Sequence, residues 1–235
     1  DVKEAILFAI SRYDYAYALK LAERAGKSTH SDLLRLLGAL AERRELNIQS
    51  IMNLKLEITG MNPADFQLFC HENEADEQLA NYLYDLDAKL RNEQLIDFVR
   101  AVSPAIYRIF MRLIRMQLPD IDSYIHNSRE ASYDRWKFEK MRSSDNPVLQ
   151  NFHTESTVNS SSLTELILQL GFPESVKESA GQLRELERSV RNPLAHLIKP
   201  FDEEELHRTT GFSSQHFMEL LVALAQETGI VYQRE

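Results

Sequence analysis

The chain has 235 residues, and 36 Asp and Glu against 27 Lys and Arg give it a formal net charge of −9. This length allows one large domain or two small ones. The acidic excess argues against a broad surface for nucleic acid, because phosphate binding depends on clustered cations, but it leaves room for a local basic groove. Seven Gly and seven Pro are too few for the frequent turns of a β-sandwich or barrel.

The single cysteine, Cys70, excludes an intrachain disulfide framework and a cysteine-based zinc site. No stretch approaches the roughly 18 apolar residues of a membrane span, and no secretory signal opens the sequence. We therefore expect a mostly helical protein of the reducing cytoplasm.

Apolar residues recur at helical spacing along most of the chain. A Ser-Asp pair at 31–32 is typical of a helix start, and Gly26 and Gly60 of helix ends. Ser103-Pro104 reads as an N-cap followed by a proline in the first turn. The predicted helices cover, in chain order, 6–21, 33–46, 46–58, 79–90 with the stripe carried on over 95–102, 105–118, 162–171, 173–190 and 214–227. Only 230–232 resembles a strand, so the pattern predicts an all-α bundle.

Between positions 143 and 162 the composition changes to Ser, Asn and Thr. A connection of about 20 residues is more often functional or disordered than a plain link. The sequence therefore predicts a flexible loop here, closed by a capping box of Ser162 with Glu165.

Three short motifs resemble functional sites but have simpler interpretations. Residues 25–28 (Ala-Gly-Lys-Ser) lack the earlier glycine and the strand of a phosphate-binding loop, so a helix end is favoured. Cys70-His71 lacks an evident third group to orient a catalytic pair, and the acids over 72–77 indicate a helix start. Glu203 and His207 share a helix face that could hold a metal, but the run of three Glu is more typical of a first helical turn.

Two cationic patterns could contact phosphates. Arg108, Arg112 and Arg115 recur at helical spacing, and the abundance of carboxylates favours pairing within the protein. Residues 133–138 (Tyr-Asp-Arg-Trp-Lys-Phe) interleave aromatic and cationic residues as single-strand binders do, and amphipathic packing is the favoured alternative.

The most informative pattern is Arg-Asn-Pro-Leu-Ala-His at 191–196. Proline disfavours helical geometry at the preceding residue and is favoured in a first turn, and asparagine is a good N-cap. We expect the preceding helix to break and a new helix to begin at Pro193, with Arg191, Asn192 and His196 around an anion-binding helix start. A continuous kinked helix is the alternative; it would separate Arg191 from His196 by about 140°.

The surroundings of this pattern are locally basic. Arg184, Arg188, Arg191 and Lys199 outnumber Glu185 and Glu187. Arg188 and Lys199 are therefore candidate RNA-binding residues beside the three motif residues.

An all-helical chain with this motif followed by one more strong helix resembles a HEPN ribonuclease domain. That family carries Arg-x4-His, often with Asn directly after the Arg, and Arg191, Asn192 and His196 match it position by position. The aromatic opening at 13–15 and the chain length resemble the effector half of the ancillary ribonucleases of type III CRISPR systems. The resemblance implies one helical HEPN-type domain over residues 1–235 in a two-fold homodimer.

In those proteins a Rossmann-like domain senses cyclic oligoadenylate. No Gly-rich strand–helix unit for such a sensor occurs in this sequence, so we expect the sensor, and with it the activator site, to lie outside this chain. The resemblance further implies antiviral defence in the cytoplasm, with single-stranded RNA as substrate.

The chemistry implied is metal-independent cleavage by the 2′-hydroxyl of the RNA, with no cofactor. His196 suits proton transfer, or electrostatic stabilisation, near neutral pH. Arg191 offers fixed donors to a phosphate whose charge grows in the transition state. Asn192 would orient these two side chains or donate to the phosphate. The alternatives are a non-catalytic helical scaffold and a HEPN toxin of a toxin–antitoxin pair.

Overall fold

Helices form most of the structure, a computed structural model that describes residues 1–26, 31–52, 69–126, 134–196 and 198–233. The all-α prediction is confirmed. The sequence predicts one domain. In the structure the chain divides into two units. Unit 1 is Asp1–Gln94 with Ile230–Glu235, and unit 2 is Leu95–Gly229.

Within its described residues, unit 1 contains four long helices. They are α1 (Val2–Ser11), α2 (Tyr15–Arg24), α3 (Ser31–Arg44) and α4 (Glu74–Arg91). Residues 48–52 are also helical, and the rest of the helix predicted over 46–58 lies outside the described residues.

Unit 2 is built on one long helix, with shorter helices around it. In chain order these are α5 (Leu95–Gln117), α6 (Phe138–Arg142), α7 (Pro147–Gln150), α8 (Ser160–Gln169), α9 (Glu174–Leu186), α10 (Asn192–His196), α11 (Glu203–Thr210) and α12 (Ser214–Glu227). A 3₁₀ turn covers Ile121–Tyr124, and a π-helical turn covers Glu187–Arg191, between α9 and α10. The predicted bounds of α12 are confirmed.

The helix predicted over 6–21 is wrong, because the chain turns at Tyr13. Tyr13 has a left-handed φ of 58°, and Asp14 caps α2 by accepting a hydrogen bond from the Tyr17 amide at 3.2 Å. The Tyr13 ring is buried beneath the guanidinium of Arg91, 4.1 Å from the ring centre. Burial of this ring and the aspartate cap outweigh the helical periodicity.

The C-terminal segment packs on unit 1 without forming the strand predicted over 230–232. Tyr232 stacks on Tyr84 with ring centres 4.7 Å apart and donates to Asp87 at 3.2 Å. The backbone amide of Val231 donates to Nε2 of His71 at 2.9 Å. A side chain of unit 1 therefore accepts a backbone hydrogen bond of this extended segment, as a neighbouring strand would otherwise do.

Helix α5 joins the stripe over 95–102 to the helix predicted over 105–118 and runs through Pro104, so the helix start predicted at Ser103-Pro104 is wrong. The proline costs a helix about 3 kcal/mol through its missing amide and its clash with the carbonyl four residues earlier. Ten side chains of α5 are buried, and the nine larger ones are each worth about 1.5–3 kcal/mol. Pro104 itself is exposed, so water can reach the unpaired carbonyl beneath it. Burial on both sides of the proline therefore keeps the helix continuous.

Ordered elements occupy the segment predicted as a loop at 143–162. Helix α7 lies within it, and Thr157 pairs with Arg135 beside the two-residue antiparallel strands Ile125–His126 and Arg135–Trp136. Helix α8 begins at Ser160 with a capping box of Asn159 and Ser162, which replaces the predicted box of Ser162 with Glu165.

The burial of α5 predicts the largest stability effect. Phe110 is fully buried in α5, so Phe110→Ala should lower the free energy of unfolding by about 3–5 kcal/mol. Met116 lies on the same helix with 55% of its surface exposed, so Met116→Ala should change it by less than about 0.5 kcal/mol. Urea unfolding followed by fluorescence of Trp136, the chain's one tryptophan, measures both. Equal midpoints for the two variants would contradict this packing.

Candidate functional site

The motif lies on one uninterrupted helical path from α9 to α10. Asn192 has helical dihedrals (φ −65°, ψ −46°), and its amide donates to the carbonyl of Glu187, five residues earlier. The predicted break with Asn192 as an N-cap is therefore wrong. The wider π turn ends immediately before Pro193, where an α-helix would press the ring against the carbonyl of Ser189.

The three motif residues present their polar groups differently. Asn192 and His196 are exposed, and Arg191 is half-buried. Nη1 of Arg191 donates to Oδ1 of Asn192 at 3.2 Å, while Nε is buried with no hydrogen-bond partner among the described residues. The structure thus joins Arg191 to Asn192 directly, and it records no hydrogen bond from His196 within the described ranges.

Helix α5 holds this segment in place. Arg100 donates from Nε and Nη2 to the carbonyl of Leu194, at 3.3 and 3.1 Å. This carbonyl belongs to the last turn of α10 and has no partner within the helix. The apolar side chains of Val190 and Leu194 are buried beneath the same segment. Packing on one face and this double hydrogen bond fix the direction of the motif helix.

A cavity of about 670 Å³ opens beside Arg191 and Asn192. Arg184 and Glu187 line it from the same helical path, and Ser103 and Tyr107 line it from α5. The remaining wall consists of Asp134, Glu155 and residues 158–161, which include the first turn of α8. His196 is not among the lining residues.

The cavity combines buried and ionised groups. Glu187 is buried, and its Oε2 lies 3.8 Å from Nη1 of Arg184, beyond hydrogen-bonding distance. The hydroxyl of Tyr107 donates to Asp134 at 3.4 Å. Burial, and next the charge of Asp134, raise the pKa of Tyr107 to about 12, so this hydroxyl remains a donor at neutral pH.

The two predicted RNA-binding residues differ in their surroundings. Arg188 donates twice to Glu185, at 3.0 and 2.7 Å, and the same carboxylate accepts from Ser189. These contacts, the bond from Ser189 foremost, hold the pKa of Glu185 below its usual range. Lys199 is exposed near the end of the motif helix. Because Glu185 is the counter-ion of Arg188, the positive charge around Arg188 is lower than the sequence suggests.

Two arginines of the α5 stripe, Arg112 and Arg115, form side-chain hydrogen bonds within unit 2. Arg112 donates to the hydroxyl and carbonyl of Thr228, at 2.9 and 2.8 Å, and so closes the end of α12. Arg115 binds both oxygens of Asp122 at 2.8 Å. This pairing lowers the pKa of the Asp122 carboxyl. The interpretation that the stripe pairs with carboxylates is confirmed for Arg115, whereas Arg112 binds the hydroxyl and carbonyl of Thr228.

Cys70 and His71 serve packing. Nδ1 of His71 lies 3.0 Å from Oε2 of Glu77, and Nε2 accepts the amide of Val231. Glu77 is thus the orienting group that the sequence did not reveal, but both ring nitrogens are occupied. Burial, and next the charge of Glu77, raise the pKa of the Cys70 thiol, which opposes a nucleophilic role.

The remaining candidates also have structural roles or lie outside the description. Glu203 accepts from the amide of Ser214 at 3.1 Å and from its hydroxyl, and so joins α11 to α12. Trp136 is buried edge-on against Phe152, 5.6 Å between ring centres, which supports packing for 134–138. Positions 27, 28 and 133 lie outside the described residues.

Two further kinds of feature do not occur among the described residues. No group of three or more His, Cys, Asp or Glu is placed to hold a metal ion there. Within the same ranges, none of the helices has the length and apolar character needed to cross a membrane.

A known family matches the part of the chain that contains helices α4 to α12. The motif lies within this part, between α9 and α11. The family model for the Cas_Csm6 HEPN domain matches residues 68–235. The chain therefore belongs to this family of HEPN domains, which indicates a CRISPR-associated HEPN ribonuclease. No curated protein matches the sequence.

Sequence reasoning did not find the cavity or Glu187. A usable signal was present: Arg184, Glu187 and Arg191 recur at spacings of three and four, each directly after a residue of the apolar stripe of Leu183, Leu186 and Val190. Tyr107 and Asp134 carry no such signal, because only the fold brings them to this helix.

Proposed function

We propose that this chain is a metal-independent endoribonuclease that cuts single-stranded RNA through attack by the RNA's own 2′-hydroxyl. Family membership and the placement of the motif support the proposal. The observation that carries it is the hydrogen-bonded pair Arg191–Asn192 at the mouth of a cavity, with an exposed His196 on the next turn. A helix that served packing alone would not need this set of polar side chains.

Each motif residue has a role that its chemistry supports. Arg191 binds the scissile phosphate and stabilises the charge that grows on it in the transition state. Asn192, through its bond to Nη1, orients this guanidinium and keeps its amide nitrogen available to donate. His196 moves the proton of the 2′-hydroxyl or stabilises the transition state by its charge. Arg188 and Lys199 are proposed as secondary contacts with the RNA backbone.

The helix geometry favours a site shared between two copies. On a helix, positions 191 and 196 differ in direction by about 140°, so one copy does not easily bring both side chains to one phosphate. A two-fold homodimer would place His196 of one copy opposite Arg191 of the other. We propose that this dimer acts in cytoplasmic antiviral defence, with cyclic oligoadenylate as activator through a sensor domain outside this chain.

Substitution of the motif separates catalysis from folding. Arg191→Ala and His196→Ala should each lower the rate of cleavage of labelled single-stranded RNA by about 100-fold or more. Both side chains have at least part of their surface open, so melting followed by Trp136 fluorescence should stay within a few degrees of the wild type. Arg208→Ala and His207→Ala, exposed positions on α11, are matched controls that should retain activity. Full activity in His196→Ala would contradict the assignment.

The proposed reaction fixes the products and the effect of a chelator. Cleavage should be unchanged in EDTA and should leave a 2′,3′-cyclic phosphate and a 5′-hydroxyl. A 2′-O-methyl group at the scissile nucleotide should stop it, because the attacking oxygen is blocked. Mass spectrometry of the fragments identifies the ends. Cutting of the methylated substrate would indicate an attacking water and thus a different enzyme class.

Mixed dimers test the shared site. Wild-type and His196→Ala chains are mixed at constant total concentration, with subunit exchange verified by a fluorescent label. If both copies complete one site, activity falls as the square of the wild-type fraction, to about one quarter at an equal mixture. Independent sites in each copy would leave about one half, and such a linear decrease would reject the shared site.

A further inference from the structure

The cavity beside Arg191 has the wrong charge for a second phosphate. Its charged lining residues are three carboxylates, Asp134, Glu155 and Glu187, against two guanidinium groups, Arg184 and Arg191. A phosphate inside it would meet a net negative wall once Arg191 is engaged at the mouth. The lining therefore suits a neutral group that is rich in hydrogen-bond donors.

Glu187 is the group that demands such a ligand. It is 97% buried, lines the cavity, and its Oε2 has no hydrogen-bond partner among the described residues. Its neighbour Arg184 is 3.8 Å away and supplies charge without a hydrogen bond. Leaving a buried carboxylate unbonded is costly, and a ligand with N–H groups would remove that cost.

We propose that this cavity is a nucleobase pocket that selects guanine next to the scissile phosphate; the inference rests on the ribonuclease function proposed above. The Watson–Crick edge of guanine presents two adjacent donors, N1–H and the N2 amino group, which match the carboxylate of Glu187 once its buried Oε2 turns toward the cavity. The O6 acceptor follows on the same edge and matches the guanidinium of Arg184. Uracil presents a single donor between two carbonyl oxygens, and a carboxylate repels these oxygens.

The cavity has the size and neighbours for a nucleoside. A volume of about 670 Å³ lies within the range of small-ligand sites. Tyr107 lines it with a protonated phenol, and aromatic side chains commonly contact the splayed bases of single-stranded RNA. Because Arg191 lies at the edge of the same cavity, a phosphate bound there would be covalently next to the base held by Glu187.

Binding without cleavage tests the pocket independently of the enzyme reaction. In the His196→Ala chain, fluorescence anisotropy measures the Kd of labelled octauridylate carrying one central G, inosine, A or C. We expect the oligonucleotide with G to bind about tenfold more tightly than unsubstituted octauridylate and than the oligonucleotide with inosine. The comparison with inosine is the sharper one, because inosine differs from guanosine only by the missing N2 amino group. Glu187→Gln in the same background should remove the difference between G and inosine. Glu185→Gln, an exposed carboxylate two positions away that does not line the cavity, should preserve it.

The outcomes separate the two proposals. Equal Kd values for G and inosine in His196→Ala, or a preserved difference in Glu187→Gln, would overturn the guanine pocket. If Glu187→Gln does not fold, as judged by Trp136 fluorescence, the comparison of G with inosine in His196→Ala still decides. Failure of the wild-type chain to cut any RNA would instead reject the ribonuclease function. If both proposals are correct, the ends of the cleavage fragments lie next to guanine in the substrate sequence.

Discussion

Burial of helix α5 is the interaction on which unit 2 depends. The helix contributes ten buried side chains, and α8, α12 and the π turn all pack against it. Its polar residues then act at defined points: Arg100 holds the carbonyl of Leu194, Arg112 closes α12, and Tyr107 faces the cavity. A helix kept continuous by its apolar face thus positions the motif through direct contacts.

The same burial explains where local sequence rules succeeded and failed. Gly26, with φ of 77°, and the acids that follow Asn73 mark helix ends as predicted, because capping is a local property of the backbone. The rule that proline starts a helix failed at Pro104 and again at Pro193. At Pro104 the apolar neighbours on both sides are worth more than the lost amide bond, and at Pro193 a π turn accommodates the ring.

The turn at Tyr13 and the strand pairing at 125–136 are features for which the sequence offers no local rule. Neither contains Gly or Pro at the decisive position, so no local signal opposes the helical or loop pattern. Tyr13 adopts a left-handed φ because its ring packs beneath Arg91, a residue distant in sequence. Contacts of this kind cannot be inferred from spacing along the chain.

For the candidate site, the sequence identified Arg191, Asn192 and His196 through their spacing and their resemblance to a family. It could not identify the surface that they border, because the cavity is formed by α5, the segment before α8 and the motif helix together. It also overestimated the basic character of the region. Arg184 has Glu187 beside it and Arg188 is bonded to Glu185, so two of the four counted cations have carboxylate neighbours.

The π turn at Glu187–Arg191 makes the number of residues in this stretch matter as much as their identity. A π turn contains one residue more than an α-helix would use for the same advance, and each residue of an α-helix turns the path by about 100°. Deleting a single residue here would restore regular α-helix and leave Arg184 in nearly the same direction relative to Arg191, because the wide turn already absorbs the extra residue, but it would press the ring of Pro193 against the carbonyl four residues before it. Adding a further residue would turn Arg184 away from Arg191 by about that angle. The length of the chain upstream of the motif should therefore resist change in evolution.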